Sequence, residues 1–197
     1  AVRGVMKGEG EETFCGLAAA YGEAERLGAS LQAESGIPGP SDADLAAIPN
    51  LAFRRRDGGI FQTPDGPPSD MGSFPFSYKQ LGLENLEHRI IYYESSRGCP
   101  FSCSYCLSSV DKALRFRSIS LVKQELDWFL ERKVPQVKFV DRTFNCKKSH
   151  ALAIWRHIQE HDNGVTNFHF EIAADLLDEE EMELLEKMRP GLVQLEI

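Results

Sequence analysis

Between Ile90 and Ile197 β-prone runs alternate with helix-patterned stretches, and nothing else in the chain narrows its fold so far. Ile90–Glu94, Val137–Val140, Asn167–Ile172 and Leu192–Ile197 each read as strands, the first of them as a buried one. Between the first two, Leu121, Val122, Leu126, Phe129 and Leu130 share one face of a helix that Ser118 or Ser120 caps and that runs to Lys133. A second helix runs from a cap at Ser149 to about His161 and stops at Asn163-Gly164. A third, acidic, runs from Asp178 through Met188 and stops at Pro190-Gly191. A strand–helix–strand rhythm at about 25–35 residues per unit predicts a parallel sheet with right-handed crossovers. A closed eight-unit barrel needs roughly 200 residues or more. The expected fold class is therefore α/β: a partial (β/α) barrel of parallel strands, about four βα units, preceded by a helix, a β-hairpin and a Pro-rich linker.

The upstream part has a different texture. Residues 1–7 read as the exit of a strand. After Gly8-Glu9-Gly10-Glu11 a helix is expected to about Leu31, with Phe14, Leu17, Ala18, Tyr21 and Ala24 at helical spacing. Residues 34–50 carry Gly, Pro and Asp and read as loop. Leu51–Arg56 and Ile60–Thr63 flank Asp57-Gly58-Gly59, a hairpin signal. Residues 64–77 hold four prolines and read as an extended connector. The expected division is 1–33, the tail of one domain; 34–83, a linker with the hairpin; and 84–197, the amino-terminal part of the barrel.

Lys+Arg 22 against Asp+Glu 30 leave a net charge of −8, which argues against nucleic acid or anionic membrane as a partner. No apolar run approaches the roughly 18 residues of a spanning helix, and no secretory signal is visible. The five cysteines are an odd number, with three inside eight residues. That is a poor disulfide framework and fits a reducing, cytoplasmic setting in which thiolates act as ligands. The chain opens on Ala1 and closes on Ile197 within an apolar run, so both ends read as cut and the expectation is a fragment.

Those three are Cys99, Cys103 and Cys106, spaced Cys-x3-Cys-x2-Cys directly after the first strand of the βα series. Loops at the carboxyl ends of parallel strands are where such folds place chemistry. Three thiolates on one tight loop can converge on one inorganic centre. A four-iron cluster held by three cysteines keeps one iron open, whereas structural zinc takes four closed ligands. A zinc knot completed by Cys146, Cys15 or a histidine, serving a non-catalytic interaction module, is the alternative. Buried, unliganded cysteines are a third reading.

With this loop, Tyr105 before its last cysteine and Ser95-Ser96-Arg97-Gly98 leading in, the chain resembles the radical SAM superfamily. Residues 112–197 are similar to the subgroup whose barrel follows a cobalamin-binding domain. Phe139-Val140-Asp141-Arg142-Thr143-Phe144-Asn145 resembles its second-strand motif, and Glu171-Ile172 and Glu196-Ile197 its third- and fourth-strand ends. Gly8–Phe14 resembles the last turn of the cobalamin domain, and the hairpin with its Pro-rich lead resembles the bridge between domains. The body of a cobalamin domain is absent, and the barrel stops after four strands.

The resemblance implies a 4Fe-4S cluster on Cys99, Cys103 and Cys106, S-adenosylmethionine on the open iron, and reductive cleavage to a 5′-deoxyadenosyl radical. It implies an external one-electron donor, a cobalamin link and an unknown substrate. Methyl transfer to carbon is one outcome in such members and ring rearrangement another. A methylthiotransferase ranks low, because Cys15 alone cannot supply a second three-cysteine cluster. The implied cofactor contacts are Asp141 to the ammonium, Glu171 to the methionyl or ribose moiety, Glu196 to ribose hydroxyls, and Tyr105 beside the cluster or adenine. Each has an ordinary reading as a loop carboxylate, strand-end charge or packed ring. Arg115 and Arg117 read as a solvated basic turn, or as contacts to an anionic group.

Other signals carry less. His157-x2-Glu160-His161 matches a zinc-protease pattern, yet His161 abuts the helix end and no downstream ligand is obvious. Gly8-Glu9-Gly10 is crowded by carboxylates and is a poor phosphate cradle. Arg54-Arg55-Arg56 reads as solvated, Cys146 as a buried thiol. An exposed fourth strand is an edge that predicts pairing with a second copy.

Overall fold

The computed structural model describes residues 3–26, 39–81, 89–109 and 113–197. The chain divides into two compact units, Ala1–Ser69 and Asp70–Ile197. The end expected for the first helix, near Leu31, lies outside the described residues.

In the first unit β1 (Gly4–Met6), β2 (Leu51–Arg54) and β3 (Ile60–Gln62) form an antiparallel sheet in that order, with Arg54 opposite Ile60 across the hairpin. The hairpin is thus tied to the start of the chain. The sheet and α1 (Glu11–Arg26) enclose Leu45, Ile48, Leu51 and Phe53. The buried face of α1 is rotated from the expected stripe. Thr13 is buried, with its hydroxyl donating to the Pro49 carbonyl at 3.1 Å, while Phe14 is 61% exposed. Leu17 and Ala20, not Phe14 and Tyr21, reach the core. Within the expected loop a short α2 (Asp42–Ala46) forms, because Ser41 and Asp44 cap each other's backbone N–H groups.

The second unit contains the parallel sheet. Its strands are β4 (Ile90–Tyr93), β7 (Gln136–Phe139), β8 (Asn167–Glu171) and β9 (Val193–Glu196), side by side in that order. Crossovers α3 (Ile119–Glu131), α4 (Lys148–Glu160) and α5 (Glu179–Glu186) connect them. Ser118 caps α3, and Asp178 with Glu181 forms a capping box on α5. Ser149 is not the cap of α4; that helix starts one residue earlier, after a 3-10 turn over Phe144–Cys146.

The sheet has two unlike faces. Ile91, Tyr93, Val137, Phe139, Phe168 and Phe170 point to the helices and join Leu126, Phe129, Ile154 and Trp155 in one core. Burying each such side chain contributes roughly 1.5–3 kcal/mol. On the other face Tyr92, Lys138, His169 and Gln194 stand in register across the four strands. β4 therefore alternates: Ile90 and Tyr92 are 48% and 56% exposed, so this strand is not the fully buried one expected. Among the described residues of this unit, helices cover one face, as in a barrel wall seen from outside.

One element is wholly unforeseen. β5 (Ser96–Arg97) pairs antiparallel with β6 (Arg115–Phe116), closing the cysteine loop at its base. Two-residue strands are too short to show periodicity in sequence.

Candidate active site

The site grows from the carboxyl end of β4. Ser95 and Ser96 leave the strand, and Gly98 turns the chain into the cysteine loop with φ +96°. A side chain there is excluded, since a Cβ would come within 2.6 Å of the Ala113 carbonyl oxygen. Cys99 is buried with its Sγ 3.6 Å from Thr143 Oγ1, Cys106 is half-buried, and Cys103 is exposed. The Cys106 N–H donates to the Cys103 carbonyl at 3.1 Å, so these two residues belong to one turn. None of the three is in a disulfide.

Asp141 sits under this loop rather than on its surface. It is fully buried at the exit of β7. Its Oδ1 accepts the Ser95 N–H at 2.8 Å; its Oδ2 accepts the Ser95 and Ser96 hydroxyls at 2.6 and 2.7 Å. With the Ser95 proton given to Asp141, the His150 Nε2–H donates to Ser95 Oγ at 3.0 Å. Burial pushes the Asp141 carboxyl up to about 6 against the pull of these donors, and pushes His150 down to about 4. Four residues on, Asn145 repeats the device toward β8. Its Nδ2 donates to the Ala173 carbonyl and its Oδ1 accepts the Ala173 N–H, both at 2.9 Å. The turn after β7 thus latches the exits of the strands on either side. Both Asp141 oxygens thus accept from Ser95 and Ser96 in this structure, in place of the solvated loop carboxylate of its ordinary reading.

A cavity of about 550 Å³ opens beside the loop, with Tyr92, Glu94, Arg97, Lys138, Arg142 and Glu171 among its walls. Lys138 Nζ lies 3.2 Å from both Glu171 and Glu196, which stand opposite each other on β8 and β9. These carboxylates hold the ammonium above its ordinary pKa, and Lys138 in turn holds Glu196 below the usual range. Arg97 pairs in two-pronged fashion with Glu94 at 2.9 and 2.7 Å, whereas Arg142 has no ion pair among the described residues. Glu171 is a wall of the cavity, Glu196 lies one strand away, and Tyr105 is 91% exposed on the loop.

Sequence reasoning missed Lys138. Its signal was a charge between Val137 and Phe139 in a strand whose other side is core. Arg117 is corrected too. It is buried, donating to Glu125 at 2.6 Å and to the Met71 carbonyl at 3.0 Å, and Glu125 also accepts the Tyr93 hydroxyl. It braces β4 against α3.

Among the described residues only Asp127, His157 and His161 bring three ligand atoms within 4.8 Å of one another. The three cysteine sulfurs are more widely spread than a single ion needs, and their donor set of three thiols fits a multi-iron cluster with an open corner. In the first unit a cavity of about 220 Å³ lined by Leu17, Tyr21, Leu45 and Phe53 is too small for a corrin.

Comparison with known proteins agrees with this geometry. An uncharacterized methyltransferase of Pyrococcus horikoshii is 29% identical over 162 residues, which is 79% of this chain and 32% of that protein. The chain thus spans about a third of the length of this curated relative. The radical S-adenosylmethionine methyltransferase TsrM of Kitasatospora setae superposes with a TM-score of 0.63 at 21% identity, over 93% of this chain and 35% of that one. The cobalamin-dependent S-adenosylmethionine radical enzyme OxsB gives 0.55 at 16%, over 72% and 22%. At such identities the two structures share the fold. The family model of the radical SAM superfamily matches residues 93–197, from the last residue of β4 through the cysteine loop and the latch to β9. With more than half its length inside that match, this chain belongs to the radical SAM superfamily.

Proposed function

We propose that the chain is part of the catalytic barrel of a cobalamin-linked radical SAM methyltransferase, in which Cys99, Cys103 and Cys106 hold a 4Fe-4S cluster and leave one iron to S-adenosylmethionine. The supporting observation is a loop of three cysteines outside any disulfide at the carboxyl end of the first barrel strand, rooted in a buried polar latch. When bound, the cluster supplies one electron, drawn from an external donor, that cleaves S-adenosylmethionine reductively.

The chain's own residues bind and orient. Asp141 and Asn145 fix the strand exits from which the ligands project, and fixed donors keep reacting groups in line. Arg142, without a carboxylate partner, is placed to take the methionyl carboxylate. Glu171 is the carboxylate for the ammonium or a ribose hydroxyl, with Lys138 holding it and Glu196 in place. Tyr105 is free to cover the bound nucleoside. The cobalamin link and methyl transfer rest on the named relatives and neighbours. The cavity of the first unit does not fit that group, and no step is assigned to it.

The test is anaerobic reconstitution with iron and sulfide. The expected result is brown protein with about four irons per chain, and iron lost in Cys99→Ser, Cys103→Ser and Cys106→Ser. Colourless protein holding one tight zinc at these cysteines overturns the reading in favour of an interaction module.

A further inference from the structure

A second group of ligating side chains lies at the other end of the sheet. α3 leads into β7 and α4 into β8, so the carboxyl ends of these helices flank the amino-terminal edge of the strands. There Asp127 of α3 meets His157 of α4 and His161 just past its end, with one ligand atom from each within 4.8 Å of the others. His157 is 5% exposed, and its Nε2 is 2.6 Å from Asp127 Oδ1. The His157 and His161 rings face each other one turn apart, with centroids 4.3 Å apart.

We propose that Asp127, His157 and His161 form a binding site for a divalent cation of the zinc type that staples α3 to α4. Three independent features support it. His161 Nδ1 lies 2.9 Å from the His157 carbonyl. A carbonyl only accepts, so Nδ1 carries the proton and Nε2 keeps its lone pair. Metal-ligating histidines use this arrangement to fix tautomer and ring direction.

The field is also favourable. Two helix carboxyl ends carry partial negative charge. The adjoining groove of about 470 Å³ is walled by Glu131, Glu160 and Asp162 besides Asp127. Arg189 engages Asp162 in two contacts at 2.8 and 3.1 Å and Arg132 lies 3.5 Å from Glu131, which leaves Glu160 or a water to complete four-fold coordination. The scaffold is rigid as well: Asn163 Nδ2 donates to the Leu130 carbonyl at 2.7 Å, pinning the two helix ends together.

Two imidazoles and a carboxylate suit zinc, nickel or copper better than magnesium or calcium. A cation replaces the proton shared by His157 and Asp127. Ligands at about 2.0 Å in a tetrahedron stand about 3.3 Å apart, so the pair opens slightly. Asp127, 41% exposed at its side chain, has room to move. Position argues for a structural role, since the amino-terminal face of such barrels serves stability.

The experiment is zinc titration of the cluster-loaded protein, followed by histidine side-chain nitrogen NMR and by thermal melting. Zinc is expected to shift the His157 and His161 ring nitrogens, leave His150 and His169 unmoved, and raise the melting temperature. His161→Ala, at an exposed position, and Asp127→Asn are each expected to weaken zinc binding by about tenfold or more and remove the melting shift. Their circular dichroism reports whether the fold survives. Unshifted His157 and His161 ring nitrogens, equal affinity in parent and variants, or saturation only at millimolar zinc overturns the proposal.

Discussion

The cysteine loop and the latch beneath it touch at Cys99 and Thr143 yet are built to opposite rules. Along the loop Cys103, Ser104 and Tyr105 are exposed. In the latch Asp141, Asn145, Ser95, Ser96 and His150 are all buried and all hydrogen-bonded. The difference separates two jobs that a motif runs together. The exposed Cys103 thiol is available to a ligand from outside; buried carboxylate and amide groups are spent on holding strand ends.

That separation is breakable by substitution. Cys103→Ser is expected to abolish cluster retention while changing unfolding free energy by no more than about 0.5 kcal/mol, as surface changes do. Iron analysis and urea unfolding on the same sample check both halves.

Asp141→Ala is the converse. It strands the Ser95 N–H and two hydroxyls, and is expected to cost about 3 kcal/mol in urea unfolding. If instead Asp141→Ala left stability intact and affected only S-adenosylmethionine binding, the latch assignment would be wrong.

Acidity sharpens the contrast. Asp141, with its pKa raised from 3.8 to about 6, binds its proton more tightly folded than unfolded, so its contribution to stability falls as pH rises through that window. His150, lowered from 6.5 to about 4, binds its proton more tightly unfolded, so its contribution rises over nearly the same window. The two slopes oppose each other around one serine. Relative to the parent, Asp141→Asn is expected to gain stability on going from acid to neutral pH, and His150→Gln to lose it. Urea midpoints across that range check the signs; parallel slopes would contradict the account.

The smallest expected effect belongs to the cavity wall. Arg142→Ala should raise the KM for S-adenosylmethionine several-fold, in proportion to one charge-assisted contact of about 1.5 kcal/mol, with kcat nearly unchanged. A fall in kcat alone would place Arg142 in another role.

The strand–helix rhythm after Ile90 was legible because one face of each element faces a common core, and burial imposes its period on the residues. The cysteine spacing was legible because thiols so close together have few structural uses. The burial of Asp141 was not legible because a carboxylate after a strand looks solvated in sequence; only the return of Ser95 and Ser96, 46 and 45 positions away, buries it. Arg117 was misread because a basic residue just before a helix looks solvated in sequence, whereas Glu125, eight positions on along α3, folds against it. The short α2 was hidden among prolines and glycines, although Ser41-x-x-Asp44 is a capping pattern. Lys138 and the β5–β6 pair show where local reading ends. Their meaning comes from which strands become neighbours.

The most direct test of the whole account is electron paramagnetic resonance of the reduced, reconstituted protein with and without S-adenosylmethionine. A three-thiol cluster with an accessible iron predicts a signal that changes when S-adenosylmethionine is added, and that is missing in Cys103→Ser. A cluster signal indifferent to S-adenosylmethionine, or no iron in the parent protein, would contradict it.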